Sequence, residues 1–388
     1  MSEADRIDPL TELDAILDLG RRAPGSDAER RTALHLQQRL QTLGREAAVE
    51  PIDAFPHWAL AYAILAAAGV GASVLAVYLP LAGAVLALAT ALLTFIDAGL
   101  QVPIVRRPLG RRASQNVVSW GGGTRAGALV VVAHTDAGRG GIAHRTRLAR
   151  RPIGALQAVF LAQLAILAFA LARLIGLEGT VLTVAQFIPT LLLLVAVALL
   201  TDIALAGIRG GENDNASGLV TALRLVERGL PLEHFDLHVL FTGARHAGSA
   251  GIQAFLKRHA LPRDATVFVN VERVGSGGVR FTAREGLLYA QRTHPQLTKL
   301  CEQIVEDELD AQPLTSRSAS DAATAAAKGF AAITITCRER GDYASGRVEE
   351  RALDAAEAFC AELIERIDAE VGPSIVAPVE ATALSEPQ

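Results

Sequence analysis

Cysteine is scarce in this sequence, which contains only Cys301, Cys337 and Cys360. Their spacing offers no pair of closely placed metal ligands, and an odd, sparse count does not build a disulfide framework. The first residues, MSEADRIDPLTELD, are acidic where a secretory signal has a basic start and an apolar core. We therefore expect a chain without a cleavable signal peptide whose cysteines remain reduced.

Excess basic charge is also lacking. The 37 lysine and arginine residues are outnumbered by 41 acidic ones, which gives a net charge of −4. The chain therefore has no overall positive potential that would attract nucleic acid. Charged residues make up only 20% of the 388 residues, whereas 51% are hydrophobic. This balance is not that of an ordinary soluble enzyme, so we expect part of the chain to lie in lipid.

Two long stretches account for the hydrophobic surplus. The first runs from Trp58 to Ile96 without any charged residue and has Pro80 near its middle. The second runs from 152 to 201, and its only charges are Arg173 and Glu178, which fit a short loop outside the bilayer. Since one membrane-spanning helix needs about 20 apolar residues, each stretch predicts a transmembrane hairpin. The lipid bilayer is thus the first predicted partner.

Each hairpin returns the chain to the side that it left, so the polar segments can form one domain. Arginines cluster near the membrane ends on that side: Arg106, Arg107, Arg111, Arg112, Arg145, Arg147, Arg150, Arg151 and Arg209. By the positive-inside rule, the polar domain is expected to be cytoplasmic and the hairpins to lie in the inner cell membrane. The predicted division is 1–56, the N-terminal helical part of the polar domain; 57–102, hairpin I; 103–151, strands of the polar domain; 152–208, hairpin II; 209–371, the rest of the polar domain; and 372–388, a disordered tail.

The polar segments alternate between strand and helix patterns. Continuous apolar runs predict strands at 116–119, 128–133, 237–241, 267–271 and 332–336. Helix patterns lie between or after them, at 216–227, 249–259, 296–308, 322–327 and 352–367. Because continuous apolar strands are typical of a sheet covered on both faces, this alternation predicts an α/β fold with a mostly parallel sheet flanked by helices.

Metal-binding residue types follow the predicted strands. His134 and Asp136 follow one strand, His246 another and Glu272 a third, while Asp214 lies where a helix begins. Ligands gather beyond the carboxyl ends of the strands in such sheets. Imidazole and carboxylate together are a donor set that suits zinc, so the sequence predicts a zinc site at this edge.

Four short motifs carry a resemblance to a known family. They are RAPGS at 22–26, QNVV at 115–118, AHTD at 133–136 and ENDNASG at 212–218. Together they resemble motifs of the zinc aminopeptidases of peptidase family M28, which include leucyl aminopeptidases, glutamate carboxypeptidase and glutaminyl cyclases. The resemblance implies a zinc-exopeptidase-like fold, here with four transmembrane helices inserted as two hairpins.

The resemblance also assigns roles to single residues. Family members hold two zinc ions with five protein ligands. His134 matches a histidine ligand, Asp136 matches the carboxylate that orients its ring, and Asp214 matches the aspartate that bridges both ions. His246 and Glu272 stand at two further ligand positions and have side chains that can bind zinc.

Two positions depart from the family pattern. Arg245 stands where the family has the glutamate that acts as general base, and arginine stays protonated at physiological pH. Ala344 stands where the family has its last histidine ligand. The catalytic residues are therefore not identified, and the resemblance implies one zinc ion on His134, Asp214, His246 and Glu272, or no ion.

The sequence leaves three functions open. The first is a membrane-bound pseudo-peptidase that binds a peptide, a small carboxylate ligand or a protein partner. The second is an active zinc metallopeptidase of the aminopeptidase type, with one ion and an unidentified base. The third is a membrane scaffold or transport accessory in which the hairpins carry the function.

Overall fold

The computed structural model of the chain describes residues 7–142, 154–307, 309–338 and 347–372. In this part, a nine-stranded sheet forms the centre of the polar domain and helices cover both of its faces. Some predicted features lie outside the described residues, namely Arg145, Arg147, Arg150, Arg151, Ala344 and nearly all of the tail 372–388.

The sheet is parallel at its centre and has both antiparallel and parallel pairs towards its edges. Its strands are β1 (Ala48–Ala54), β2 (Arg112–Ser119), β3 (Gly127–His134), β4 (Phe235–Thr242), β5 (Thr266–Val271), β6 (Gly278–Glu285), β7 (Gln291–Arg292), β8 (Ala311–Ser316) and β9 (Ala331–Arg338). The spatial order is β1-β2-β4-β3-β5-β9-β6-β7, with β8 beside β6. The pairs β4–β3, β3–β5 and β5–β9 at the centre are parallel, as is β6–β8. The pairs β1–β2, β2–β4, β6–β9 and β6–β7 are antiparallel. The predicted α/β fold is confirmed, but the sheet is mixed rather than mostly parallel.

The central strands are buried on both faces, as their continuous apolar sequences predict. In β3, Leu129 and Val131 enter the core on one face of the sheet, and Val130 and Val132 enter the core on the other. All five predicted strands are present. Strands such as β1 and β6 were not predicted, because polar residues interrupt their apolar runs.

The helices are α1 (Pro9–Asp18), α2 (Asp27–Thr42), α3 (Trp58–Tyr78), α4 (Pro80–Thr94), α5 (Ala155–Leu174), α6 (Thr180–Leu205), α7 (Ser217–Arg228), α8 (Ala250–Arg258), α9 (Pro295–Glu306), α10 (Asp321–Ala327) and α11 (Glu350–Arg366). Helices α1, α2, α7, α9 and α11 pack on one face of the sheet. Helices α8 and α10 pack on the other. The five helices predicted after residue 215 are confirmed to within a few residues.

Helices α3 to α6 form a separate bundle with apolar cores of their own. In the described part of the chain, α3, the helical segment Pro80–Gly99, α5 and α6 are each long and apolar enough to cross a membrane. Large apolar side chains lie exposed along them, among others Tyr78, Val85, Val181, Ile188 and Leu205. An exposed apolar surface of this extent favours contact with lipid.

Buried polar side chains join the two hairpins. Ser73 Oγ lies 2.7 Å from Thr190 Oγ1, and the Gln186 amide donates to the Ser73 carbonyl oxygen at 2.7 Å. Arg173 donates from Nε to Gln186 Oε1 at 3.2 Å. The prediction that Arg173 lies in a loop was wrong, because Arg173 belongs to the last turn of α5 and its buried side chain contacts α6.

A buried ion pair fastens the end of hairpin I to the polar domain. Arg106 Nε donates to Asp97 Oδ1 at 2.6 Å, and the Tyr62 hydroxyl donates to the same oxygen at 3.0 Å. Arg106 Nη1 then donates to the Ala247 carbonyl oxygen at 2.7 Å. A side chain at Gly248 would have its Cβ only 2.1 Å from this guanidinium, so glycine permits the approach.

Removal of one partner of this pair is expected to destabilise the fold strongly. In Asp97→Ala, Arg106 would remain as an uncompensated buried charge, which costs about 3–5 kcal/mol of unfolding free energy. Asp53→Ala serves as the control, since Asp53 pairs with Arg111 on the surface and such pairs contribute about 0–1 kcal/mol. Thermal unfolding in detergent, followed by circular dichroism, measures both variants. Equal losses of stability would contradict a structural role for the pair.

Candidate functional site

The predicted site residues converge at one edge of the sheet. His134 is the last residue of β3, and Glu272 directly follows β5. Arg245 and His246 lie in a single helical turn, Arg245–Ala247, shortly after β4. Asp214 lies in the wide turn Glu212–Ala216 that leads into α7. Neighbouring parallel strands end at the same edge, which explains why residues so distant in sequence meet.

A hydrogen bond at Nδ1 orients the ring of His134 and leaves its other nitrogen, Nε2, free to bind a ligand. Its Nδ1 lies 2.8 Å from the carbonyl oxygen of Asp136, an arrangement in which Nδ1 donates and Nε2 keeps its lone pair. Nε2 lies 3.9 Å from Glu272 Oε2. Both atoms are buried and have no hydrogen-bond partner among the described residues. These two atoms face each other, and both have lone pairs that could bind a metal ion.

Asp136 contacts both histidines, but in different ways. Its backbone carbonyl meets His134, whereas its carboxylate accepts hydrogen bonds from the backbone amides of Arg245 and His246, both at 2.8 Å. The same carboxylate lies 3.0 Å from His246 Nδ1. Burial alone would raise the pKa of Asp136, but the two histidines beside it lower the pKa. Asp136 thus fixes the turn that carries His246.

Cationic side chains surround Asp214. Its Oδ2 accepts from Arg209 Nη2 at 3.0 Å and lies 3.3 Å from His246 Nε2. Its Oδ1 accepts from Arg273 Nε at 3.1 Å. Burial would raise the pKa of Asp214, but His246 and Arg273 lower it well below its ordinary value. Both carboxylate oxygens are therefore engaged by positive groups of the chain itself.

His246 is held between two carboxylates. Burial would lower the pKa of its imidazole, but Asp214 and Asp136 outweigh burial and raise the pKa. The protonated ring can donate from Nδ1 to Asp136 and from Nε2 to Asp214. Both ring nitrogens of His246 thus have a carboxylate of the chain as partner, and a metal ion would compete with Asp214 for Nε2.

Arg245 occupies the predicted general-base position and pairs with a neighbouring carboxylate. Its Nη2 donates to Glu272 Oε1 at 3.1 Å, and both side chains are buried. Burial would raise the pKa of Glu272, but Arg245 and then Arg273 lower it. The ion pair uses one of the two oxygens of Glu272 and leaves the other facing His134.

Three arginines were missed as site residues by sequence reasoning. Arg209 was assigned to membrane topology and Arg273 was given no role in the site, yet both contact Asp214. Arg22, in the RAPGS motif, is fully buried and donates to the Gly210 carbonyl and to Asn215 Oδ1. It therefore supports the turn that carries Asp214. Its place in a motif that resembles the family was the available signal.

Strained backbone and a buried acid help to place the turn after β4. Ala244 has a left-handed φ of 53° and Arg273, after β5, has a φ of 55°. Such conformations cost free energy in residues with a side chain and concentrate at functional sites. The Ala244 amide donates to Glu29 Oε1 at 2.8 Å. Burial and the nearby Asp136 raise the pKa of Glu29 to about 8.

Glu285 is a second buried acid close to the site. Its Oε2 accepts from Ser320 Oγ at 2.8 Å and from Thr334 Oγ1 at 2.9 Å. Burial and the charge of Glu272 raise the pKa of Glu285 to about 7. The carboxyl thus changes its protonation near neutral pH.

This pKa predicts a pH dependence of stability. The folded protein binds the Glu285 proton more tightly than the unfolded chain, in which a glutamate has a pKa of about 4.3. The unfolding free energy should therefore fall as pH rises from roughly 5 through 8. Glu285→Gln removes this contribution, so its melting temperature in detergent should decline less over that range. The exposed Glu302→Gln should follow the unmodified chain, and identical curves for all three proteins would contradict the assignment.

Comparisons with known proteins agree with the fold. Residues 198–365 match the model of peptidase family M28, a region that begins in α6 and includes Asp214, His246 and Glu272. No curated protein matches the sequence of this chain.

Several solved structures share the fold. A zinc-dependent exopeptidase from Parabacteroides distasonis is 12% identical, with a TM-score of 0.51 over 92% of this chain and 96% of that one. A zinc aminopeptidase from Bacillus subtilis is 12% identical, with a TM-score of 0.53 over 92% and 93%. A glutaminyl cyclase from Tannerella forsythia is 13% identical, with a TM-score of 0.52 over 92% and 97%. The chain thus has a zinc-exopeptidase-like fold, and its resemblance to peptidase family M28 is confirmed.

Proposed function

We propose that this chain is a multipass membrane protein whose peptidase-like domain is catalytically impaired and binds a peptide, a small carboxylate ligand or a protein partner. One observation carries the proposal: arginines engage the carboxylates of the site. Arg209 and Arg273 engage Asp214, and Arg245 engages Glu272. These contacts supply the positive charge that metal ions supply in zinc peptidases.

Arg245 supports catalytic impairment most directly. A general base has to take a proton from the attacking water. A guanidinium group stays protonated at physiological pH and cannot accept another proton. Glu272 beside it is stabilised in its charged form by the ion pair, which makes it a weak base. Since a positioned base contributes about 10²–10⁴ to the rate, we expect peptide hydrolysis to be slower by that order.

The residues fit a single zinc ion only in part. His134 Nε2 and Glu272 Oε2 are free donors of types that zinc binds. The other two predicted ligands, Asp214 and His246, contact each other, and Asp214 is also engaged by arginine. A bound zinc ion would polarise the carbonyl group of a substrate. To take Asp214 and His246 as ligands, it would have to break the contact between them and the contact of Asp214 with arginine.

An active mononuclear zinc peptidase of the aminopeptidase type is the second candidate function. It is favoured by the ligand atoms of His134, Asp136 and His246, which lie within 4.8 Å of one another. This function requires His246 to lose its proton and another residue to act as base.

The membrane assignment rests on the bundle. Its four long apolar helices carry exposed apolar side chains, and arginines lie near their ends on the side of the polar domain. We infer that the bundle lies in the inner membrane with the polar domain in the cytoplasm. The polar residues Ser73, Gln186 and Thr190 bond to one another inside the bundle, which favours helix packing over a transport path.

Arg245→Gln is expected to increase zinc binding. The change frees Glu272 and removes a positive charge near the site, so zinc affinity should rise roughly tenfold or more. Zinc titration of the detergent-purified full chain, with metal content measured afterwards, tests this expectation. Arg111→Gln is the matched control, since its exposed side chain pairs with Asp53.

Two results would contradict the impaired-site proposal. One is a full zinc complement in the unmodified chain that disappears in Asp214→Ala. The other is hydrolysis of aminoacyl reporter substrates by the unmodified chain that the same substitution abolishes. Either result would favour the active mononuclear peptidase.

Cysteine labelling tests the orientation. The three native cysteines are buried, so an introduced thiol supplies the signal. Glu178→Cys lies in the loop between α5 and α6, and Asp14→Cys lies on the exposed side of α1. In intact bacterial cells, a membrane-impermeant maleimide should label the first variant, whereas the second should react only after lysis. The reverse pattern would place the polar domain outside the cytoplasm.

A further inference from the structure

A cavity of about 170 Å³ lies beside the site, on its side towards hairpin I. Its walls include the turn 23–26, the entry into α3 at 56–58, Arg112, Arg139 and His246. The cavity therefore extends from the candidate site to the point where the first apolar helix begins. Neither the family match nor the zinc ligands predicted from the sequence assign a role to it.

The cavity wall is cationic. Arg112 and Arg139 contribute its positive charge, and none of the described residues that line it is acidic. Burial lowers the pKa of His57, and the charges of Arg112 and Arg139 lower it further, which places both guanidinium groups near the same space.

The two arginines keep their charge available for a ligand. Arg139 Nη1 donates to the carbonyl oxygens of Ala204 and Ala206, at 3.2 and 2.9 Å, and these are neutral acceptors. Arg112 packs its Cβ and Cδ against Gly25. Within the described ranges, no carboxylate lies within ion-pair distance of either guanidinium, in contrast to Arg245 and Arg209 in the site.

We propose that this cavity binds an anionic group, a phosphate or a carboxylate, through Arg112 and Arg139. Forked guanidinium donors match the oxygens of such groups. The volume admits a phosphate group with a few attached atoms, and the entry at Trp58 places it where the headgroup of an anionic lipid would lie. A lipid source rests on the proposed membrane insertion, whereas the anion site itself depends neither on the membrane nor on zinc.

The sequence supplies a local reporter for this site. It has two tryptophans, and Trp58 lines the cavity. Trp120 lies elsewhere, with its ring 5.7 Å from that of Phe255. Trp120→Phe therefore leaves Trp58 as the only tryptophan, and its fluorescence reports events in the cavity.

The experiment titrates the full chain with Trp120→Phe, held in phosphatidylcholine nanodiscs, with inorganic phosphate. Parallel nanodiscs contain increasing fractions of phosphatidylglycerol. A saturable change of Trp58 fluorescence is expected. Arg112→Gln should weaken binding about tenfold or more, since a hydrogen bond between charged groups is lost. Arg111→Gln, on an exposed neighbour paired with Asp53, should leave binding nearly unchanged.

The two arms distinguish the source of the anion. A response to phosphate in neutral nanodiscs identifies a site for a free anion, and a response to phosphatidylglycerol alone identifies a headgroup site; both support the proposal. Arg112→Lys, which keeps the charge, should bind more tightly than Arg112→Gln and controls for folding. Absence of a response in both arms, or equal weakening by Arg111→Gln and Arg112→Gln, would overturn the proposal. Neither result would bear on zinc binding or hydrolysis.

Discussion

The site depends on the burial of the Asp214 carboxylate. A buried charge is costly unless other groups compensate it, and at this position metal ions do so in the family that the chain resembles. Here Arg209, Arg273 and His246 compensate it from two sides. In the structure, the electrostatic requirement of this buried carboxylate is met by side chains of the chain itself.

The inserted hairpins help to supply this arrangement. Arg209 follows hairpin II, and its backbone amide donates to the Gly138 carbonyl at 3.0 Å while Gly140 donates to Gly207 at 2.9 Å. The exit of hairpin II is thus paired with the loop after the AHTD motif at 133–136. At the exit of hairpin I, Arg106 bonds to Ala247, next to His246. Both hairpins therefore end on loops that carry site residues, so the packing of the bundle and the geometry of the site constrain each other.

The sequence predicted the parts of the structure that follow from periodicity and motif. Continuous apolar runs identified the central strands, and the motifs identified His134 and Asp214. The cationic partners were harder to predict, because Arg273 adjoins Glu272 in sequence but contacts Asp214 in space. Its left-handed backbone turns the chain at that point, and such a local deviation leaves no periodic signal in a single sequence.

The charges of the site argue for the kind of ligand that the domain accepts. Asp214 faces the guanidinium groups of Arg209 and Arg273, Glu272 faces that of Arg245, and Asp136 faces His246. A divalent cation at Asp214 or Glu272 would have to compete with a guanidinium group that already pairs with the carboxylate. The adjoining cavity is lined by two other arginines, Arg112 and Arg139, and by no acidic residue of the described part of the chain. The proposed anion site therefore lies beside carboxylates that already have cationic partners.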